Sequence, residues 1–122
     1  TEAHPNGALY RLDLASGERS LFSAAVPAAT RLAFSPDGRW LAVIAWDQRT
    51  TALRQSLHLI DVATGAAVDT GVAVLYEQVV WSPQSDRLAY IDRVSGAVAV
   101  YALPTGETRR VTGDTGLHIL LP

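Results

Sequence analysis

The sequence predicts an all-β fold that is built from short strands in a repeated unit. The stretch FSPDGRWLAV, residues 34–43, returns 47 positions later as WSPQSDRLAY, residues 81–90. A second motif occurs three times, as LYRLDLASGE, LHLIDVATGA and VAVYALPTGE. Its glycines recur after 48 and then 41 residues, at Gly17, Gly65 and Gly106. Self-similarity at a nearly fixed spacing indicates a repeat architecture.

Each unit is predicted to contain four strands. Strand one is TRLAFS or EQVVWS, and in the first unit it is followed by SPDG, which places Pro, Asp and Gly where a tight hairpin favours them. Strand two is RWLAVIAW or RLAYID, and a variable loop leads to strand three, LHLIDV or VAVYAL. A Ser/Thr-Gly pair then turns the chain into strand four, GAAVDT or ETRRVT. The runs WLAVIAW and LHLI are almost continuously apolar, which predicts sheets that are covered on both faces.

Four-stranded antiparallel sheets that pack face to face, with about 40–45 residues in each, are typical of a β-propeller. We predict one partial propeller domain over residues 1–122. Its parts are a half blade at 8–23, full blades at 28–70 and 76–113, and the start of a further blade at 117–122. Propellers close with about 4–8 blades, and this chain has fewer than three. Either it is part of a longer chain, or two copies close a six-bladed ring as a homodimer.

The order of the motifs resembles the WD-like propeller repeats of the TolB type, which also occur in the propellers of prolyl oligopeptidase relatives. The resemblance covers roughly residues 8–113, and the first full unit fits it well. The second unit departs from it, because SPQS replaces SPDG and Ala102 stands where Asp13 and Asp61 stand in the other copies. The resemblance implies a bacterial, extracytoplasmic protein, periplasmic or extracellular, that holds a protein or peptide partner over the channel face.

Composition and charge argue against several other functions. The net charge is −2 and the ten basic residues, all arginine, are scattered, so the chain lacks the positive footprint of a protein that binds nucleic acid or an anionic membrane. The absence of cysteine excludes disulfides, thiol catalysis and thiolate metal sites. Apolar runs such as LAVIAW are far shorter than the ~20 residues of a membrane-spanning helix. We therefore expect no nucleic-acid partner and no membrane insertion by this segment.

The sequence predicts no enzyme, no cofactor and no metal site. His4, His58 and His118 lack metal-ligand spacing, and there is no G-x-S-x-G nucleophile turn. Asp-Thr-Gly occurs at 69–71 and 114–116, and the first triplet is similar to the catalytic loop of retropepsin-like aspartic proteases. Both triplets end a predicted fourth strand, which favours turn chemistry. A dimeric aspartic protease that uses Asp69 remains an alternative, as does the substrate-gating propeller of a prolyl-oligopeptidase-like peptidase that lacks its catalytic domain.

The candidate partner-binding site follows from the geometry of a propeller. The segments that lead into strand one and leave strand two gather on one face, around the channel. Here they are WDQRTTALRQ, residues 46–55, and the segment around YEQ, residues 76–78. Trp and Arg are enriched at interaction hot spots. The predicted site residues are Arg31, Trp46, Arg49, Arg54, Tyr76, Glu77 and Gln78. The alternative interpretation is that Trp46 caps the blade and the arginines are solvated.

Overall fold

The computed structural model describes residues 9–23, 29–47, 54–103 and 105–111. The strands in these ranges are β1 (Leu9–Leu12), β2 (Arg19–Ser23), β3 (Ala29–Phe34), β4 (Trp40–Trp46), β5 (Gln55–Asp61), β6 (Ala67–Trp81), β7 (Arg87–Asp92), β8 (Val98–Ala102) and β9 (Thr108–Arg110). Strands β1 and β2 form one sheet, and β3 to β9 form a second sheet in chain order. Every pair is antiparallel. The all-β, propeller-type prediction is confirmed.

Strand β6 belongs to both four-stranded units, because the fourth strand of the first unit runs directly into the first strand of the second. Its first half pairs with β5, where Val74 lies opposite Gln55. Its second half pairs with β7, where Val79 lies opposite Tyr90, and the register shifts between Val74 and Val79. The sequence analysis treated these as separate strands. The segment 117–122, which was predicted to begin a further blade, lies outside the described residues.

The main core lies between the two four-stranded units. Ile44 and Leu57 of the first unit and Leu88 of the second have no solvent exposure, and all three belong to one apolar cluster. On its opposite face β4 packs Leu41 and Val43 towards the β1–β2 sheet, where a second cluster forms. Strand β4 is therefore buried on both faces, which explains the nearly continuous apolar run WLAVIAW.

The face of the sheet that points towards β1–β2 is covered only in part. Leu9 and Phe22 of the small sheet pack against the cluster around Val43. The side chain of Phe34, on β3, is nevertheless 63% exposed, whereas Trp81, at the matching position of the second unit, is 5% exposed. Trp81 is buried because a complete unit precedes it. Among the described residues only two strands precede Phe34, and they pack over the other strands.

The Ser/Thr-Gly turns share one backbone geometry. The N–H of Gly65 donates a hydrogen bond to the carbonyl of Asp61 at 2.7 Å, and the corresponding bonds occur in the turns that contain Gly17 and Gly106. The sequence predicts a variable loop between β7 and β8, but Gly96 there donates to the carbonyl of Asp92 at 2.8 Å in a turn of the same kind. The Asp-x-x-Ser-Gly spacing of residues 92–96 was the available signal. The connection from β4 to β5 is longer, and its residues 48–53 lie outside the described residues.

The hairpin of the second unit forms without its glycine. Ser85 takes the position of Gly38 and has a φ of 61°, close to the 74° of that glycine. Its hydroxyl accepts a hydrogen bond from the backbone N–H of Asp37 at 3.1 Å. This bond joins the two SP turns of adjacent units. It helps to hold Ser85 in a conformation that glycine adopts without strain.

Both SP turns hold a carboxylate against a serine hydroxyl. Ser35 Oγ donates to Asp37 Oδ1 at 2.6 Å, and Ser82 Oγ donates to Asp86 Oδ1 at 2.8 Å. The bond from Ser35, followed by the backbone N–H of Arg39, lowers the pKa of Asp37. The bond from Ser82 likewise lowers the pKa of Asp86. These carboxylates therefore stabilise the turns in which they lie.

In the described part of the chain no helix is long and apolar enough to cross a membrane.

Candidate partner-binding face

One end of the large sheet collects the segments that were predicted to bind a partner. There β4 ends, β5 begins and β6 bends from one unit into the next, with Trp46 opposite Gln55 and Gln55 opposite Val74. We call this region, residues 30–31, 46–47, 54–55 and 76–78, the loop end. The SP turns, residues 35–39 and 82–86, lie at the opposite end of the strands and are called the turn end.

A buried amide organises the loop end. Gln55 is only 9% exposed, and its Nε2 donates hydrogen bonds to Thr30 Oγ1 at 2.9 Å and to Glu77 Oε1 at 2.6 Å. The hydroxyl of Thr30 in turn donates to the carbonyl of Ile44 at 3.2 Å. One side chain thus links β3, β5 and β6. Gln55 is not among the predicted site residues, although a polar residue at the start of a nearly continuous apolar strand is a usable signal.

The backbone at Tyr76 and Glu77 adopts a conformation that is rare for residues with side chains. Their φ values are 68° and 53°, in the left-handed region that glycine favours. Such residues cost about 1–3 kcal/mol each and persist only when surrounding contacts hold them. The hydrogen bond between Gln55 and Glu77 is one such contact. Strained non-glycine residues cluster at functional sites, so this pair marks the loop end independently of the sequence prediction.

A shallow groove lies between β3 and the second half of β6. Its volume is about 210 Å³, and it is lined by Arg31, Leu32 and Ala33 on one side and by residues 77–80 on the other. The structure therefore brings Arg31, Glu77 and Gln78 together, as the sequence analysis expected them to lie on one face. The indole N–H of Trp81 donates to the carbonyl of Ala33 at 2.9 Å and fixes the spacing of the two walls.

The remaining candidate residues lie elsewhere at the loop end or outside the described residues. Trp46 is 40% exposed at the end of β4. The Nε of Arg54 lies 4.0 Å from Asp47 Oδ2, and the Asp47 N–H donates to the Arg54 carbonyl at 2.8 Å. Arg54 therefore helps to close the β4–β5 connection. Arg49 lies outside the described residues.

The first Asp-Thr-Gly triplet forms a bulge inside β6. The β5–β6 register shifts between Leu57 and His58, so that Thr70 and Gly71 are extra residues. Asp69 Oδ1 accepts a hydrogen bond from the N–H of Gly71 at 2.9 Å, and Thr70 Oγ1 donates to the carbonyl of Leu57 at 2.7 Å. The expectation that this triplet ends strand four is wrong, because the strand continues to Trp81. The triplet at 114–116 lies outside the described residues.

Metal-binding side chains do not gather in the described ranges. No group of three or more His, Cys, Asp or Glu side chains there could hold a metal ion. His58, which sequence analysis placed between apolar neighbours, lies half-buried on β5, opposite Val43 on one side and Asp69 on the other.

Comparison with known proteins identifies a likeness of fold. No family model and no curated protein matches the sequence. Among solved structures, the chain is similar to the crystal structure of TolB from Acinetobacter baumannii, with a TM-score of 0.64 and 18% sequence identity. The match covers 86% of this chain and 26% of that chain, so this chain spans about a quarter of its length. The blades are therefore arranged as in a TolB-like, propeller-type fold.

Proposed function

We propose that this chain is a non-catalytic interaction scaffold of the propeller type, which binds a protein or peptide partner at the loop end. The observation that carries the proposal is the pair of left-handed residues, Tyr76 and Glu77, held beside the groove by the buried amide of Gln55. A backbone that is strained and then fixed in this way positions side chains for a ligand. The repeat's resemblance to the TolB type is a second, weaker support.

The chemistry of the loop end supports binding rather than catalysis. The groove is shallow and offers a guanidinium, a carboxylate and an amide from Arg31, Glu77 and Gln78. The exposed aromatic residues at the loop end, Trp46 and Tyr76, are residue types that carry binding energy in protein interfaces. Asp69, which the protease alternative needs, accepts a hydrogen bond inside a strand bulge.

The proposed location is periplasmic or extracellular, and fractionation of the native cells tests it.

Peptide selection tests the proposed binding. A random peptide library displayed on phage is panned on the 122-residue chain, and the Kd of the enriched peptides is measured by isothermal titration calorimetry. The variant Trp46→Ala is expected to raise the Kd about tenfold or more, since an exposed aromatic anchor is lost. Leu14→Ala, which also removes an exposed apolar side chain, in the β1–β2 turn, is the control and should leave the Kd unchanged. Enriched peptides with equal Kd for all three proteins would contradict the proposal.

We also propose that a second copy of the chain completes the ring. Leu32 and Phe34 are 49% and 63% exposed on a face whose remaining part is packed against β1–β2. An apolar surface that continues a packed interface in this way is a site for association. Light scattering over a dilution series is expected to give twice the 13.1 kDa of one chain. Phe34→Asp should shift the mass to that of one chain. A wild-type chain that stays monomeric at every concentration would overturn the ring.

A further inference from the structure

We infer that the partner is anchored at the loop end by a cation, an arginine or lysine side chain of an extended peptide segment, which binds the carboxylate of Glu77. The inference rests on the proposed function and specifies the chemistry of the ligand. Three observations carry it: a carboxylate in a fixed position, exposed aromatic residues at the same end of the sheet, and an arginine on the facing wall that limits how much positive charge the groove accepts.

The carboxylate of Glu77 is held in place before any ligand binds. Its Oε1 accepts the hydrogen bond from Gln55 Nε2 at 2.6 Å, and the φ of 53° fixes the direction of its backbone. The side chain of Gln55 is itself held in place, because it is 9% exposed and its Nε2 also donates a hydrogen bond to Thr30. Since the amide is neutral, it orients the carboxylate without neutralising its charge.

Within the described residues, no cation lies within ion-pair distance of Glu77. Ion pairs elsewhere join Arg54 to Asp47 and Arg87 to Asp86. Glu77 is half-buried, so a ligand cation would meet a partly desolvated carboxylate, where a charge-assisted hydrogen bond is stronger than one in water. A positive group on the partner is the complement that this carboxylate lacks.

The aromatic residues at the loop end favour a cation over an anion. Tyr76, directly before Glu77, is 48% exposed, and Trp46, the cross-strand neighbour of Gln55, is 40% exposed. The face of an aromatic ring attracts an ammonium or a guanidinium and repels a carboxylate. Tyr76 precedes Glu77 in the chain and Trp46 pairs with Gln55 across the strands, so both aromatic residues add to the preference of the loop end for positive charge.

Arg31 restricts the anchor to an isolated positive charge. It lines the wall of the groove that faces Glu77 and Gln78, and it is exposed. A ligand with several adjacent cations would place one of them near this guanidinium, and like charges repel. The loop end is therefore expected to prefer a single arginine or lysine with neutral or acidic neighbours over a polybasic run.

The test uses the peptides that phage selection enriches, with their Kd measured by calorimetry. Enriched sequences are expected to share one arginine or lysine. Replacing that residue by citrulline or by neutral norleucine, and separately Glu77→Gln in the protein, should each raise the Kd about tenfold. Glu77→Gln keeps an acceptor for Gln55 Nε2, so the fold is preserved, which thermal unfolding followed by circular dichroism verifies. Glu107→Gln removes the same charge from an exposed residue at the turn end and should leave the Kd unchanged.

The outcomes separate this inference from the proposed function. If Trp46→Ala weakens binding while Glu77→Gln does not, the loop end binds a partner and the cationic anchor is wrong. If Arg31→Gln abolishes binding and the enriched peptides share an acidic residue, the anchor is an anion and the inference is overturned. If no peptide is enriched, or none depends on Trp46 or on Glu77, the proposed function and the inference fail together.

Discussion

Replacing Trp81 by alanine is expected to lower the free energy of unfolding by about 3–5 kcal/mol, the usual cost of removing a buried aromatic side chain. Trp81 is 5% exposed and belongs to the core between the two four-stranded units. Its Nε1 also donates to the carbonyl of Ala33 at 2.9 Å, so the variant leaves a half-buried acceptor without its donor. Urea denaturation followed by circular dichroism measures the loss.

Phe34→Ala is the matched control, since Phe34 holds the same position in the preceding unit. It is 63% exposed, and the loss in dilute protein should stay below about 1 kcal/mol. The loss should grow with protein concentration if a second copy covers this face, because association then contributes to stability. Equal losses for the two variants in dilute protein would contradict the unequal cover of the two units.

Gly65→Ala is expected to be nearly as damaging. A Cβ at this position would lie 2.7 Å from the carbonyl oxygen of Phe22, a backbone atom that cannot rotate away. The φ of 77° adds the strain of a left-handed conformation. Together the two effects should cost about 2–4 kcal/mol and loosen the β1–β2 sheet. Urea denaturation measures the loss of stability, and faster amide exchange in β1 and β2 measures the loosening of that sheet.

Gly17→Ala is the control that separates the cost of the left-handed φ from the cost of the steric clash. Its φ is 75°, in the same kind of turn, but a Cβ there would meet nothing within 4 Å. The expected loss is about 1–2 kcal/mol, from the backbone alone. A Gly65→Ala variant that is no less stable than Gly17→Ala would mean that β2 does not pack against the β5–β6 turn as described.

The strands and most turns follow from local chemistry, which is why the repeat predicts them. The SP turns depend on Ser, Pro and Asp within a few residues, and the Asp-x-x-Ser-Gly turns depend on one glycine at a fixed spacing. The same reasoning could have found the turn at residues 92–96. Local chemistry does not account for the left-handed φ of Ser85, because a hydrogen bond from Asp37 of the preceding unit, 48 residues away, stabilises it.

The arrangement at the loop end depends on which residues of distant strands lie opposite one another, and this register cannot be predicted from the sequence. Residues such as Arg31, Glu77 and Gln78 could be placed on one face from the repeat alone. Gln55 also lies in the predicted segment 46–55, but its partners could not be predicted, because β3, β5 and β6 must first bring Thr30 and Glu77 to its amide. The left-handed pair at Tyr76 and Glu77 is equally hidden, since no glycine marks it.

Hydrogen–deuterium exchange of the chain with and without a selected peptide tests most directly where the partner binds. We expect the peptide to slow amide exchange at residues 76–78 and at the end of β4, while the SP turns at residues 35–39 and 82–86 keep the exchange rates of the free chain. Protection that is confined to the SP turns, with unchanged exchange around Tyr76 and Glu77, would contradict the claim that the loop end is the binding face.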